Sequence, residues 1–504
     1  MIRIDGSSLS SEQVISIMSG DHSVELDKNV RDRVDKSRAA VEEIVNSGEP
    51  AYGINTGFGD LVSVAISSDD LTILQENLVR SHACGFGDNM SPNEVIGMMV
   101  IRANSLLVGN SGIRWSTIET IIEMVQARIA PVVPRIGSLG ASGDLAPLSH
   151  MALGLMGEGT ADVEIDGEWI RMDAIDALSS AGITPVSLAA KEGLSLINGT
   201  SQMCMWLCIA EQKMISLLEA SEVALSLSIE GAHASASPFD SRIHDARPHA
   251  GQADTARRVR LLLENSPNMK SHLHCGKVQD AYSFRCSPQV IGAVREVLNE
   301  LSNTLAIELN SVTDNPLIFV SDKGVDVVSG GNFHGEILGI RADTAHLAIH
   351  ELSSISERRI AKLLDTATTG LPAFLATDPG LTSGLMILQY SAAASISEIR
   401  STLGPATATN IVVSGQQEDH VSMGATACWL LVQSISNAIS VIAAEMITAS
   451  IALDIRSANL GPNLQPHLAN IRNIVPIVQA DVRRDIEVRN LSNAISNGEF
   501  RFNL

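Results

Sequence analysis

Apolar side chains recur at three- and four-residue intervals along much of this chain, and that spacing predicts helices. It does so over residues 30–47, which stop before Gly48 and Pro50, and again over 71–83 and 91–107. Beyond residue 200 the runs lengthen, to 202–229, 289–309, 341–364, 383–403 and 425–455. Runs this long and this apolar bury their faces by bundling side by side. The alternation in Val163-Glu164-Ile165-Asp166-Gly167-Glu168-Trp169-Ile170 predicts a small β-hairpin turning at Asp-Gly. A further apolar segment starts at 151–156, and no repeat of fixed period or low-complexity tract interrupts the pattern. The expectation is a mainly α protein, with a smaller mixed N-terminal domain over 1–200 and an elongated helical bundle domain over 201–504.

The 425–455 run is the one stretch long enough to suggest a membrane span. Gln433, Ser434, Ser436, Asn437, Ser440 and Glu445 interrupt it, so a helix buried among other helices fits better than a span of about 20 apolar residues. Composition agrees. In 504 residues, 45% are hydrophobic and only 18% charged, which is enough for a large core. Aromatics make up only 3%, so that core is built from Leu, Ile, Val, Ala and Met. A formal net charge of −22 disfavours nucleic acid and anionic membranes as partners.

Six scattered cysteines suit a reduced, cytoplasmic compartment. The N-terminus, Met1-Ile2-Arg3-Ile4-Asp5-Gly6, has no apolar core of a secretory signal. His272, His274 and Cys275 cluster, but no further ligands stand at metal-site spacing, so no metal is expected.

The most informative chemistry lies in Gly137-Ser138-Leu139-Gly140-Ala141-Ser142-Gly143-Asp144-Leu145-Ala146-Pro147. Glycine has no Cβ to resist an unusual turn, so the Gly143 amide nitrogen can approach the Ala141 carbonyl carbon. Closure with loss of water gives a five-membered ring. Loss of a second water from Ser142 leaves an exocyclic methylidene, an electrophile that none of the twenty side chains supplies well.

This stretch resembles the signature of the aromatic amino acid ammonia-lyases. The resemblance continues through Tyr52-Gly53-Ile54-Asn55-Thr56-Gly57-Phe58-Gly59, Leu196-Ile197-Asn198-Gly199-Thr200 and Val278-Gln279-Asp280-Ala281-Tyr282-Ser283-Phe284-Arg285. Thr313-Asp314-Asn315-Pro316, Gly330-Gly331-Asn332-Phe333-His334 and Gln417-Glu418-Asp419-His420 extend it. It thus covers nearly the whole chain and is strongest with the histidine branch. It implies the helical architecture of the fumarase/aspartase-like superfamily, and a 4-methylidene-imidazol-5-one (MIO) formed autocatalytically from Ala141-Ser142-Gly143. It also implies a homotetramer whose sites are shared between subunits. The reaction implied is elimination of ammonia from L-histidine to give trans-urocanate.

The resemblance also implies roles for particular residues. Eliminating ammonia means removing a feebly acidic β-hydrogen, and Tyr52, on a lid loop with three glycines, is the base. Tyr282 and Glu418 join it and the Ala141–Ser142–Gly143 turn as catalytic residues. Arg285, three residues after Tyr282, offers a bidentate fork to the substrate carboxylate. Gln279 and Asn198 line the site beside it. Asp144, Asn198 and Asn332 support the ring, and Phe333 shapes the space around it. His82, Met386 and Glu418 set the choice of substrate: a carboxylate at 418 can pair with an imidazole N–H, where phenylalanine-type enzymes have glutamine.

Two stretches depart from the family pattern. Ala281 replaces a usual proline, and residues 397–415 differ markedly from the usual sequence. They keep open a tyrosine ammonia-lyase, a 2,3-aminomutase or a histidine-betaine lyase. A fumarase-like lyase without a covalent cofactor would need a Gly-Ser-Ser-x-Met-Pro-x-Lys loop, which does not occur in the chain. A non-catalytic scaffold would have no reason to keep Tyr52, Ser142 and Arg285 together.

Overall fold

A computed structural model of the chain describes residues 1–48, 51, 53–54, 70–272, 278–478 and 480–502. Tyr52, most of the glycine-rich loop after it, His274 and Cys275 lie outside the described residues. The described residues are mainly helical, with four small sheets of two or three strands. They group into two compact units. The first comprises residues 1–209, 302–342 and 405–429, and the second residues 210–301, 343–404 and 430–504.

In the first unit the helix Pro92–Leu107 is the core element. Ser91 caps it, accepting from the Glu94 amide while the Glu94 side chain accepts from the Ser91 amide. Every residue from Val95 to Leu107 is buried, Arg102 and Asn104 among them. The helices Ser11–Met18 and Trp115–Gln126 pack on it. The predicted hairpin is present and longer than expected, pairing Thr160–Ile165 with Glu168–Asp173. Its turn residues Asp166 and Gly167 both have positive φ, 53° and 84°, as a two-residue type I′ turn requires. A third strand, Ile129–Pro131, pairs antiparallel with the first. The apolar 151–156 segment is the tail of the helix Leu145–Leu155.

The long helices fall where the periodicity placed them: Ser201–Ala232, Ser287–Glu308, Glu336–Leu363, Met386–Ser401 and Gly424–Arg456. Their ends have local causes. His233 and Ser457 turn to positive φ, 49° each, just past two of them. The helix predicted from 383 starts at Met386, because the Asp481 carboxylate takes the Ser383 and Gly384 amides at 2.7 and 3.1 Å. The helices Trp115–Gln126, Ala250–Leu262, Gln465–Ile474 and Asp485–Ser496 and the hairpin of Leu317–Ser321 with Gly324–Val328 were not among the predicted elements.

Gly424–Arg456 is long and apolar enough to cross a membrane, yet 78% of its most apolar stretch is buried within the protein. In the second unit the Arg359–Glu445 ion pair is fully buried, at 2.5 Å. Ser228 and Ser356 donate to the same carboxylate at 2.7 and 2.6 Å, so its lone pairs are met.

Candidate active site

The loop from Gly137 to Asp144 is pinned on both flanks. Leu139 O accepts from the Met423 amide at 2.8 Å, and Gly140 O accepts from the Gly335 amide and the Ser422 hydroxyl, each at 2.9 Å. On the other flank Asp144 is fully buried. Its carboxylate accepts from Ser138 Oγ at 2.8 Å and from the Gln202 and Met203 amides at 2.8 and 3.2 Å, at the start of the helix Ser201–Ala232. Burial pushes the Asp144 carboxyl up to about 6 against these three donors, which favour the ionised form.

Between the flanks Ala141-Ser142-Gly143 forms a crowded turn. Gly143 has φ +76°, and a Cβ there would lie 2.5 Å from Gly199 N and 2.7 Å from Gly199 C. Only glycine fits that position on both counts. Asn198 Nδ2 donates to Ser142 O at 2.6 Å, and the Asn198 Oδ1 is buried without a partner among the described residues. Ser142 Oγ donates to Glu418 Oε1 at 3.1 Å.

The turn opens onto a cavity of about 680 Å³, and every residue lining it belongs to the first unit. His82, Ala141, Ser142, Asn198, Phe333 and Glu418, all singled out from the sequence, share its wall. His82 Nδ1 lies 2.9 Å from Leu78 O. Ser81 Oγ lies 3.0 Å from the same nitrogen; in the tautomer that donates from Nδ1 to the Leu78 carbonyl, Nε2 of the neutral ring is left as an acceptor.

Glu418 is presented by a tight turn. Ser414, Gly415 and Gln416 have φ of 53°, 63° and 77°, and the Val413 amide donates to Glu418 O at 3.0 Å across the turn. Ser414, Gln417 and Asp419 line the cavity as well. Gln417 and Asp419 belong to the motif block that carries Glu418, though no role was assigned to them, and Ser414 was not singled out from the sequence, where Gly415 between two polar residues was the only local sign of such a turn.

Asn332 is exposed, and its Nδ2 turns to Val312 O at 3.2 Å. Gln279, Tyr282, Arg285 and Met386 belong to the second unit. There Tyr282 and Arg285 share the single helical turn Tyr282–Arg285, and Arg285 donates to the Gln279 side chain. The turn is seated from beneath: Ser283 O accepts from Ser287 Oγ at 2.7 Å and from Arg359 Nη1 at 3.4 Å. Met386 is the first residue of the helix Met386–Ser401. Tyr52 lies outside the described residues. No group of three or more His, Cys, Asp or Glu among the described residues is placed to hold a metal.

In this helical protein a buried, glycine-walled Ala-Ser-Gly turn floors a polar cavity, and the proteins it is similar to are lyases. The model of the family described as aromatic amino acid lyase matches residues 9–473. The chain is 42% identical to the histidine ammonia-lyase of Alkaliphilus oremlandii over 499 residues, 99% of this chain and 97% of the relative. It is also similar to the crystal structure of histidine ammonia-lyase from Trypanosoma cruzi, at 36% identity and a TM-score of 0.91. That match covers 99% of this chain and 94% of the other. Tyrosine aminomutase from Streptomyces globisporus matches at 34% identity and a TM-score of 0.91, over 99% and 97% of the two chains. The chain belongs to the aromatic amino acid lyase family.

Proposed function

We propose that this protein is a histidine ammonia-lyase, converting L-histidine to trans-urocanate and ammonia through an MIO made from its own Ala141, Ser142 and Gly143. The observation that carries the reading is the meeting of Ser142, Asn198, His82 and Glu418 on one cavity wall. The residues fit the group. Gly143 already holds a left-handed turn that no other residue could take, and the buried Asn198 Oδ1 has a polar valence to spare. Asp144, Asn198 and Asn332 would support the ring. When formed, the ring supplies an electrophile that captures the amine and makes it a leaving group.

The chain's own residues do the rest. Tyr52 takes the β-proton, and Tyr282 assists as the second tyrosine of the site. Arg285 and Gln279 bind the carboxylate. Glu418 accepts from one N–H of the substrate's imidazolium and His82 Nε2 from the other, both ring nitrogens being donors in the protonated ring, and Met386 and Phe333 close apolar surface around it. A glutamine at 418 would lack that charge, so a carboxylate there favours imidazole over a phenyl or phenol ring.

The likeness to tyrosine aminomutase keeps a second reading in view, in which the same ring serves a tyrosine lyase or 2,3-aminomutase. A histidine-betaine lyase is a third, motivated by the unusual 397–415 segment. Intact mass, the near-ultraviolet spectrum and product analysis with histidine, tyrosine and phenylalanine decide among them. Two missing waters, a chromophore and urocanate support the first. An unmodified mass overturns the ring, and a β-amino product from tyrosine overturns the substrate.

The working form we infer is a cytoplasmic homotetramer with sites shared between subunits. Cys84, Cys204 and Cys286 are free thiols, as a reducing compartment allows. Leu347, Ile387 and Tyr390 stand exposed on long helices, apolar surface that self-association would cover.

A further inference from the structure

Behind the Ala141–Ser142–Gly143 turn lies a stack that the proposed reaction does not use directly. Gly199 packs against Gly143, and the Asp144 amide ties the two strands together by donating to Gly199 O at 2.7 Å. Gly199 is itself a glycine with no room to spare. A Cβ on it would lie 2.7 Å from Thr313 Oγ1 and would overlap Arg102 Nη1. Arg102 is fully buried on the core helix Pro92–Leu107. Its Nη2 donates to Ser195 O, its Nη1 reaches Thr313 Oγ1 at 3.5 Å, and its Nε has no partner among the described residues.

Burying a guanidinium with one N–H unpaired is costly. A methionine or leucine would fill such a space without that cost, so Arg102 is there for something other than filling it. The feature it backs is the Gly199–Gly143 contact. Ring closure is a reaction between two backbone groups that an ordinary chain never brings to bonding distance. A fixed wall behind the attacking residue removes the freedom that would otherwise oppose it.

We propose that Arg102 is a positioning residue for ring closure: its guanidinium, with Thr313, backs Gly199, and Gly199 holds Gly143 in the left-handed conformation from which its nitrogen attacks. In that closure the Gly143 nitrogen bonds to the Ala141 carbonyl carbon. The first water leaves with the Ala141 oxygen, the Gly143 amide hydrogen and the Ser142 amide hydrogen. The second takes the Ser142 hydroxyl and the Ser142 Cα hydrogen, leaving the methylidene. Atoms balance at two waters lost, and no oxidant is needed. This inference rests on the MIO reading above and adds a residue outside the turn to it.

The test is cell-free synthesis of the full chain, arrest of translation, and intact-mass measurement over time. Near-ultraviolet absorbance and far-ultraviolet circular dichroism are followed in parallel. Arg102→Lys keeps the charge but loses the planar fork. The expected result is a folded protein that loses its two waters about 10- to 100-fold more slowly than the parent, since small misplacements cost that much. Turnover per mole of matured chain should equal the parent's, because the finished site does not touch Arg102. Maturation at the parent's rate would overturn the proposal, as would turnover per mole of matured chain that falls below the parent's. If Arg102→Lys does not fold, Thr313→Val decides by the same two readouts, slower closure supporting the wall and parental closure refuting it. A parent that never loses water would instead sink the MIO reading itself, a separate and visible outcome.

Discussion

Ser142 Oγ donates to Glu418 Oε1 over 3.1 Å, although 276 residues separate them in the chain. In the ring closure we propose, the hydroxyl held by that carboxylate is the one that leaves as water. In the proposed reaction Glu418 therefore serves twice in turn. It first accepts from the departing hydroxyl, and afterwards it is a carboxylate without that donor, open to an imidazole N–H on the cavity side.

The first half of that role predicts the behaviour of Ser142→Ala. Removing Oγ deletes one hydrogen bond at a partly buried position and leaves the pinned flanks at Leu139, Gly140 and Asp144 intact. The variant should fold with parental circular dichroism, keep its unmodified mass, lack the near-ultraviolet chromophore and lose nearly all activity. An active Ser142→Ala protein of unmodified mass would mean that the electrophile lies elsewhere.

The second half predicts Glu418→Gln. A hydrogen bond to a charged group is worth roughly 1.5–3 kcal/mol, so kcat/KM for histidine should fall about 10- to 100-fold. Any residual turnover of tyrosine or phenylalanine should change far less. The same fold-loss on all three amino acids would assign Glu418 to ring formation alone.

Much of this arrangement was legible before the structure. The 3.6-residue period located the long helices because each buries a wide apolar face, and Asp166-Gly167 marked the hairpin because two successive positive φ values need such residues. The motif blocks held Ser142, Asn198 and Glu418, the resemblance added His82, and all four line one cavity. Arg102 was not legible. A lone arginine inside an apolar run has no local signature, and its meaning comes from Gly199, 97 residues later, packing onto it. Ser414 was hidden for a related reason, since its place on the wall depends on a left-handed turn in the segment that departs most from the family pattern.

The buried Asp144 makes a prediction about stability and pH. Its carboxyl lies at about 6 in the folded protein, against an ordinary 3.8. Between those values the native state holds a proton that the unfolded chain has released. Unfolding free energy therefore falls as pH rises through the window and is flat above about 6. Relative to Asp144→Asn, which has no such titration, the parent should gain about 2 kcal/mol as pH drops from 6 to 4. Chemical denaturation of both proteins at pH 4, 5, 6 and 7 checks this. A parent–variant difference that is constant, or that moves the other way, would show that the carboxylate's three donors outweigh its burial.

The last prediction joins the residues that the first unit does not contain to the base on the loop. Arg285 holds the Gln279 side chain, and Tyr282 on the same turn is 73% exposed. Side chains meant to bind substrate inside one folded subunit would not usually be left so open. In the tetramer we infer, Tyr52, the Ala141–Ser142–Gly143 turn and the Tyr282/Arg285 pair come from more than one chain. Tyr52→Phe should lower turnover by at least ~100-fold, the usual contribution of a general base. Arg285→Ala should raise KM for histidine steeply, because the carboxylate loses its fork. Each pure variant then has every site damaged. Mixed under conditions that exchange subunits, the two should form some sites whose Tyr52 and Arg285 both come from intact chains, and activity should rise above that of either variant alone. The rise should appear only after exchange and vanish when exchange is blocked by cross-linking first. A fully active monomer by light scattering at assay concentration, or exchanged mixtures no more active than their parts, would place each site within one chain.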